Sequence, residues 1–486
     1  MDSYVLCGMQ FGDEGKGTFV DYLAHEQNVD CVVKYNGGAQ ASHTVVTPSM
    51  ITHRFSQLGS GMFLVNCHTY LTENMVINFD SLIKEMEVFS MKTGISILDL
   101  VERIHIHEDC YVVTPYHKLV NKLRELSKGA NRRGTVGTGV SEVRYLLAEQ
   151  KLLPYEPPLG LQVKDIFNKN SNNPVFSRLE ALQNYVETFY RANCKTIWQN
   201  APEEIKEPLQ KEIEILLEPK AFLRIAELFL SQLKNAPQEV NFINCLYSSY
   251  ERSFRRDFNK AIFEGSQGLL IDGKYGIKPN TTFLDTTNHF ALDISDYKDN
   301  IIKVGIAKAF NTRHGLGVFP TESAGVGGKI SDKNQSESFW NGSMRFGWFD
   351  ALLLRYAQSI NQVEELYLSS LDKLDSFETI YVCSEYHYNG IVDKGFYEIF
   401  DYYSLPDGYT VIRDIKKPSE NLGKYLEKCI PRYIVVDGWQ QDISNVSEKS
   451  LLPAECLAYI SLLEKLIHIP ITTISLGPTR ENKIRM

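Results

Sequence analysis

What the sequence lacks narrows the field before any motif is read. Its nine cysteines are scattered, and no two form a CxxC pair. That excludes a disulfide framework or a zinc knuckle as the basis of the fold, and it suits a reducing, cytoplasmic setting. No apolar run approaches the roughly 18 residues needed to span a bilayer. The opening MDSYVLCGMQ carries an acid and no basic stretch, so it reads poorly as a secretory signal. No basic tract dominates: 51 Lys and Arg face 60 Asp and Glu, a net charge of −9. A broad nucleic-acid or anionic-membrane surface is therefore not expected. A local phosphate pocket stays open, because backbone amides and one or two cations suffice for it. There is no fixed-period repeat and no low-complexity tail.

What is present is an ordinary globular composition, 43% hydrophobic over 486 residues. SYVLCGMQFG is a short apolar run ending in glycines, and GTFVDYLAHE continues it at helical spacing: strand, loop, helix. VDCVVKYNGG repeats the first half, HRFSQLGSGMFLVN offers further short strands, and INFDSLIKEMEVFS reads as a helix. Such alternation predicts an α/β domain with a large, mostly parallel central sheet and flanking helices. From about 145 to 258 helical patterns prevail, including SRLEALQNYVETFYRANCKTIWQ and NCLYSSYERSFRRDFNKA. We therefore expect residues 1–144 and 259–486 to form one catalytic domain interrupted by a mainly helical insertion at 145–258. Strand-like runs return in KAIFEGSQGLLIDG, IIKVGIAKAFNTRHG, ETIYVCSEY, RYIVVDGW and IPITTISLG.

The first loop, GMQFGDEGKG, resembles a phosphate cradle but is not a strict GxxxxGK[ST] loop, since Gln10 stands at the first glycine and Gly17 follows the lysine. Gly12, Gly15 and Gly17 still allow close backbone approach, and Lys16 adds a point charge at a helix start. A plain glycine-rich turn with a solvated tip accounts for the spacing equally well. Asp13 and Glu14 do not suit pure phosphate binding, because like charges repel. A carboxylate becomes useful there if Mg²⁺ lies between it and the phosphate, or if it must remove a proton beside the phosphate. Thirty residues on, His43 sits in the polar loop NGGAQASH, placed to steady charge on a transferring phosphoryl group.

GMQFGDEGKG, NGGAQASH, FEGSQGLLID, KAFNTRHGLGVFPTE, GWFD and SLGPTREN occur in the order found in the adenylosuccinate synthetase family, which the chain resembles over all but roughly residues 145–258. The resemblance implies a cytoplasmic, homodimeric, GTP-dependent ligase that joins L-aspartate to the 6-position of IMP through a 6-phosphoryl intermediate. Its partners would be a purine nucleotide, GTP and an amino acid, with no nucleic acid or membrane, and Mg²⁺ would be the cofactor. Carried onto matching positions, Asp13 is the base and a metal ligand, and the Ser42 carbonyl is a second ligand. His43 steadies the 6-oxygen, and Lys16 and Gln267 complete the catalytic set. Gly12, Asp13, Glu14, Gly15, Lys16 and Gly17 form the GTP loop. Asp372, Ser475, Gly477 and Pro478 face guanine. Gln40, Thr135, Gln267 and Thr282 hold the nucleotide substrate, and Arg313 and Arg345 hold the amino donor.

The pattern departs from the family in several places. FWNGSMRFGWFD replaces a TTGRxRR-like run, leaving Ser343 where the first arginine belongs; serine cannot replace a guanidinium that grips a carboxylate. Ser370 stands at the guanine-site lysine, Asp375 and Lys373 leave the Asp372 register arguable, Thr138 replaces an arginine, and His314 replaces a small apolar residue. Two alternatives stay open on these grounds. One is the same mechanism acting on dIMP, GMP, dGMP or another amino donor. The other is a catalytically silent nucleotide-binding regulator.

Overall fold

The computed structural model describes residues 3–134, 137–152, 156–167, 174–234, 246–247, 258–295, 300–330, 339–340 and 342–486. Its spine is a ten-stranded sheet, in spatial order Leu246–Tyr247, Ile104–His107, His68–Leu71, Cys31–Lys34, Ala261–Gly268, Ser3–Gly8, Ile301–Lys308, Glu365–Ser369, Ile471–Ser475 and Lys483–Arg485. Every neighbouring pair is parallel except the last. The parallel strands are apolar runs rather than alternating ones because helices cover both faces; Val5, Leu6, Val32 and Val33 are fully buried. Strands distant in sequence thus lie side by side, and the carboxyl ends of the parallel strands share one edge of the sheet, where open α/β sheets bind ligands.

Helices form where the sequence caps them. Asn78 accepts from Ser81 N at the start of Phe79–Thr93, and Gly94 ends it in the left-handed region at φ 76°. That helix buries Phe79, Leu82, Met86 and Phe89, a stripe at 3.6-residue spacing. Pro115–Lys128 begins with proline in its first turn and packs against Pro174–Asn200. Glu203–Leu216 and Ala221–Lys234 extend the same layer, and their apolar faces join the core beneath the N-terminal strands.

The expected parallel sheet is present with an addition, and two sequence expectations need correction. The parallel sheet is accompanied by a five-stranded sheet with mostly antiparallel pairs, in which Thr379–Tyr388 lies between Phe349–Asp350, Thr410–Ile415 and Cys429–Asp437. Within HRFSQLGSGMFLVN only Thr52–Phe55 is part of a strand; the remainder is a turn, buried over Gln57–Met62 and exposed at Val65 and Asn66. Arg103 holds that turn by donating to the carbonyls of Met62, Leu64 and Cys67. The helical reading of 244–261 fails at Leu246–Tyr247, which pair in parallel with Ile106–His107; most of the rest of that stretch lies outside the described residues.

Close approach of two strands frames the first loop. A Cβ on Gly8 would lie 2.3 Å from the Gln267 carbonyl oxygen and 2.8 Å from the Glu14 carboxylate. Gly8→Ala is expected to destabilise the protein by about 1–3 kcal/mol, read as a lower unfolding midpoint in urea. An unchanged midpoint refutes this packing.

Candidate active site

The strand Ser3–Gly8 feeds the loop that precedes the helix Lys16–Gln27. Beneath the loop, Glu14 is fully buried. One carboxylate oxygen accepts from Gln10 N at 3.1 Å and Gly12 N at 2.8 Å, and the other from Lys16 Nζ at 2.5 Å. The loop amides therefore cradle a carboxylate of the chain itself. Gln10 ties the loop to the neighbouring strand by donating to Lys308 O and accepting from Lys308 N. Gly15 caps the helix at φ 84° with no side-chain cap bond, so the first helical N–H groups remain available to an anion. Gly17 is required because its Cβ would sit 2.7 Å from that of His43.

Asp13 takes the opposite course from Glu14. Its backbone is left-handed at φ 58°, which Asp tolerates better than most residues, and its side chain is 46% exposed. His314 Nε2 lies 3.3 Å from its carboxylate. Burial by the surrounding loops raises its pKa, but the contact with His314 and the charges of Lys308 and Lys16 outweigh that and hold it well below the usual range. Because so much of the carboxylate is open, the cations are the stronger reason. Asp13 is thus ionised at neutral pH and able to accept a proton or bind a cation.

His43 begins the strand His43–Val46, just after the exposed Ser42. Its Nδ1 lies 2.5 Å from Glu264 Oε1, which also accepts from Ser60 Oγ at 2.5 Å, while Ser60 N donates to Oε2 at 3.0 Å. Burial raises the Glu264 carboxyl, yet Lys34, His43 and Ser60 together bring it down to about 2. Burial lowers the His43 pKa despite Glu264. The pair is therefore best described as a neutral imidazole donating from Nδ1 to a carboxylate, a contact that fixes the ring and leaves Nε2 for a ligand.

Unpartnered polar atoms mark the remainder of the site. Both side-chain amide atoms of Gln40 and the Oε1 of Gln267 are buried with no hydrogen-bond partner. Gln267 is also left-handed at φ 62°, with its Cα 3.9 Å from where a Cβ on Gly12 would stand. Buried polar groups are seldom left unpaired, so these atoms suit a bound base. Thr282 N donates to Ile271 O at 2.8 Å, and its Oγ1 accepts from Leu284 N. Thr135 lies outside the described residues. At the other strand ends, Asp372 is nine-tenths buried, with Lys373 Nζ 3.0 Å from one oxygen and the other buried without a partner. Asp375 instead accepts from Trp439 Nε1 and Ile443 N, so of the two acids Asp372 is the one with an unengaged oxygen. Ser475 Oγ and Thr18 Oγ1 donate to the carbonyls of Gly477 and Pro478.

The two arginines are engaged within the chain. Arg313 donates to the carbonyls of Leu316, Val318 and Asn280, and burial lowers it to about 9, aided by Arg345. Arg345, opposite it across the strand pair, grips Glu322 at 2.9 and 2.5 Å and donates to Gly315 O and Gly317 O. Sequence reading missed Glu264, Ser60 and Glu322, and it did not link His314 to Asp13. Glu264 alone left a trace: a charge within the apolar strand AIFEGSQG.

The family's sequence pattern, described as adenylosuccinate synthetase, matches residues 5–484. The chain belongs to the adenylosuccinate synthetase family. This is a family of GTP-dependent ligases that form a C–N bond. Adenylosuccinate synthetase of Wolbachia from Brugia malayi is 28% identical over all of this chain and 97% of its own length. That of Vibrio cholerae is 29% identical, covering 99% of this chain and 98% of its own. The fold is shared with fully ligated adenylosuccinate synthetase from Plasmodium falciparum, at TM-score 0.71 and 22% identity, with both chains covered completely. It is shared more distantly with cyanophage S-2L succinoaminodeoxyadenylate synthetase, bound to dGMP and to dATP as an energy donor, at TM-score 0.55 and 12% identity, covering 100% of this chain and 95% of the other.

Glu264 supplies a prediction for this family member. Its folded pKa is depressed from the ordinary 4.5 to about 2. Its stabilisation is therefore complete above the unfolded pKa and is lost as pH falls from about 4.5 toward 2. Glu264→Gln should flatten that part of a stability–pH curve and lower kcat about 10- to 100-fold by releasing His43. Wild-type kcat in the variant contradicts the orienting role.

Proposed function

We propose that this chain joins L-aspartate to C6 of IMP at the expense of GTP. The carrying observation is Asp13, ionised and open at the rim of a loop whose other acid is buried. Asp13 takes the N1 proton of the purine, and O6 attacks the γ-phosphorus as GDP leaves. The negative phosphates of GTP raise the Asp13 pKa from its depressed value and so make it a better base. His43, held by Glu264, meets the 6-oxygen and the transferring phosphoryl group through Nε2. The amine of aspartate then attacks C6, inorganic phosphate leaves, and adenylosuccinate results. Gln40 and Gln267 fit the base, Thr282 and Thr135 the 5′-phosphate, and the helix start at Gly15–Gly17 with Lys16 the phosphates of GTP. Asp372 fits the N1–H and N2–H of guanine, with Ser475, Gly477 and Pro478 alongside.

No group of three or more His, Cys, Asp or Glu that could hold a metal is found among the described residues. A single carboxylate with a backbone carbonyl matches the way Mg²⁺ is usually held, one or two protein oxygens with nucleotide phosphates and water completing the shell. Asp13 and the Ser42 carbonyl are those donors, and the cation would neutralise phosphoryl charge there. We read the protein as a cytoplasmic homodimer with 145–258 as an accessory helical segment. The eight described cysteines are all free, in keeping with a reducing compartment. Among the described residues no helix is long and apolar enough to cross a membrane.

One observation favours a second reading, a different amino donor. Arg345 already holds a carboxylate, that of Glu322, and Ser343 offers no charge in place of an arginine. Aspartate either displaces Glu322 or yields to a smaller donor. The catalytic groups persist together, which speaks against a silent regulator. Incubation with IMP, GTP, Mg²⁺ and a panel of amino acids, scored by phosphate release and product mass, decides among these. The proposal predicts a succinyl product with aspartate, and Glu322→Gln should lower the KM for aspartate several-fold. Phosphate release with another amino acid alone establishes the second reading, and no release with any donor refutes both.

A further inference from the structure

The last strand offers a residue that the reaction above does not use. Lys483–Arg485 runs antiparallel to Ile471–Ser475, and the register sets Lys483 directly opposite Ser475. Both side chains stand on one face of the pair and reach the turn that follows. Lys483 is 8% exposed; its Nζ donates to Gly477 O at 3.1 Å and to Thr479 O at 2.6 Å. Ser475 Oγ also donates to Gly477 O, at 2.9 Å, and Thr18 Oγ1 to Pro478 O, at 3.0 Å. Three consecutive carbonyls are therefore engaged by side chains, two of them by one buried lysine.

The carbonyl direction matters for base recognition. With its carbonyls held by side chains, Pro478 lacking an N–H and Thr479 N donating to Asn482 Oδ1 at 3.0 Å, the 477–479 backbone keeps one group for a base edge, the N–H of Gly477. Guanine carries an acceptor at position 6, whereas adenine carries a donor there. The buried, unpartnered oxygen of Asp372 makes the complementary choice, since it accepts from guanine N1–H and N2–H and repels the lone pair of adenine N1. Lys483 serves Asp372 as well: burial lowers its ammonium to about 7 while the charges of Asp21 and Asp372 hold it up. Charged or neutral, the amine still has hydrogens for both carbonyls.

We infer that Lys483 is the positioning residue that sets guanine over adenine in the triphosphate site, by withdrawing the Gly477 and Thr479 carbonyls from the base edge. Ser370 leaves the neighbouring strand end without the lysine of related sequences, and Lys483 brings a buried cation to the same corner from the opposite direction. The inference rests on the GTP reading given above.

The test is calorimetric affinity for GDP and for ADP, measured on the wild type and on Lys483→Met, with IMP affinity as the control. The wild type should prefer GDP. K483M should lose at least about tenfold of that preference, the usual scale for a hydrogen bond involving a charged group, with IMP affinity unchanged. Ser475→Ala, which removes the second donor to Gly477 O, should shift the ratio the same way by less, and it provides the answer if K483M does not fold. A wild-type GDP:ADP ratio in both variants, or an equal loss for GDP and IMP, overturns the role of Lys483. No preference in the wild type itself overturns the guanine reading instead, a distinct result.

Discussion

A buried carboxylate organises the phosphate loop. Glu14 accepts from the amides of Gln10 and Gly12 and from Lys16, and so occupies the place a phosphate takes in an ordinary glycine-rich cradle. Much follows from this one contact set. Gly8 and Gly268 must lack side chains, because a Cβ on either would press on the Glu14 carboxylate. Ser369 reaches across to the Glu14 carbonyl at 2.7 Å and couples the loop to a strand that ends at the Asp372 segment. With those amides and Lys16 committed to Glu14, the loop leaves the N–H groups of the uncapped helix start open. Asp13 is turned outward through a left-handed residue toward His314 and solvent.

Two carboxylates of the candidate site lie in opposite environments. Glu264 is dry, compensated by Lys34, His43 and Ser60, and fixed in its charged state. It orients a ring and does not take a proton. Asp13 is half open and surrounded by cations, so its proton affinity responds to whatever anion arrives. Division of labour between acids by environment is a familiar solution in enzymes. The adjacent acids of the first loop are divided in the same way, Glu14 buried on the loop amides and Asp13 turned outward.

Much of this was legible in sequence where local rules govern. The helix at Phe79–Thr93 and the apolar parallel strands were readable, as were the loops that carry Asp13, His43, Gln267 and Asp372. What escaped depends on chain partners far apart. The Asp13–His314 contact joins residues 301 positions apart across adjoining strand ends. Arg345 reads as a free anion binder until the fold brings Glu322 to it, and Asp375 rivals Asp372 until Trp439 claims it. Leu246–Tyr247 has helical spacing, yet the open edge beside Ile104–His107 draws it into the sheet. The antiparallel layer was missed because its strands alternate weakly and pair over long loops.

The division between Glu14 and Asp13 is open to one side-by-side measurement: unfolding midpoint and turnover of Glu14→Gln and Asp13→Asn. The structure predicts that D13N unfolds at the wild-type midpoint while losing nearly all turnover, and that E14Q unfolds markedly earlier because the loop loses its buried anion. A stable, phosphate-binding E14Q, or a D13N that still turns over, would contradict it.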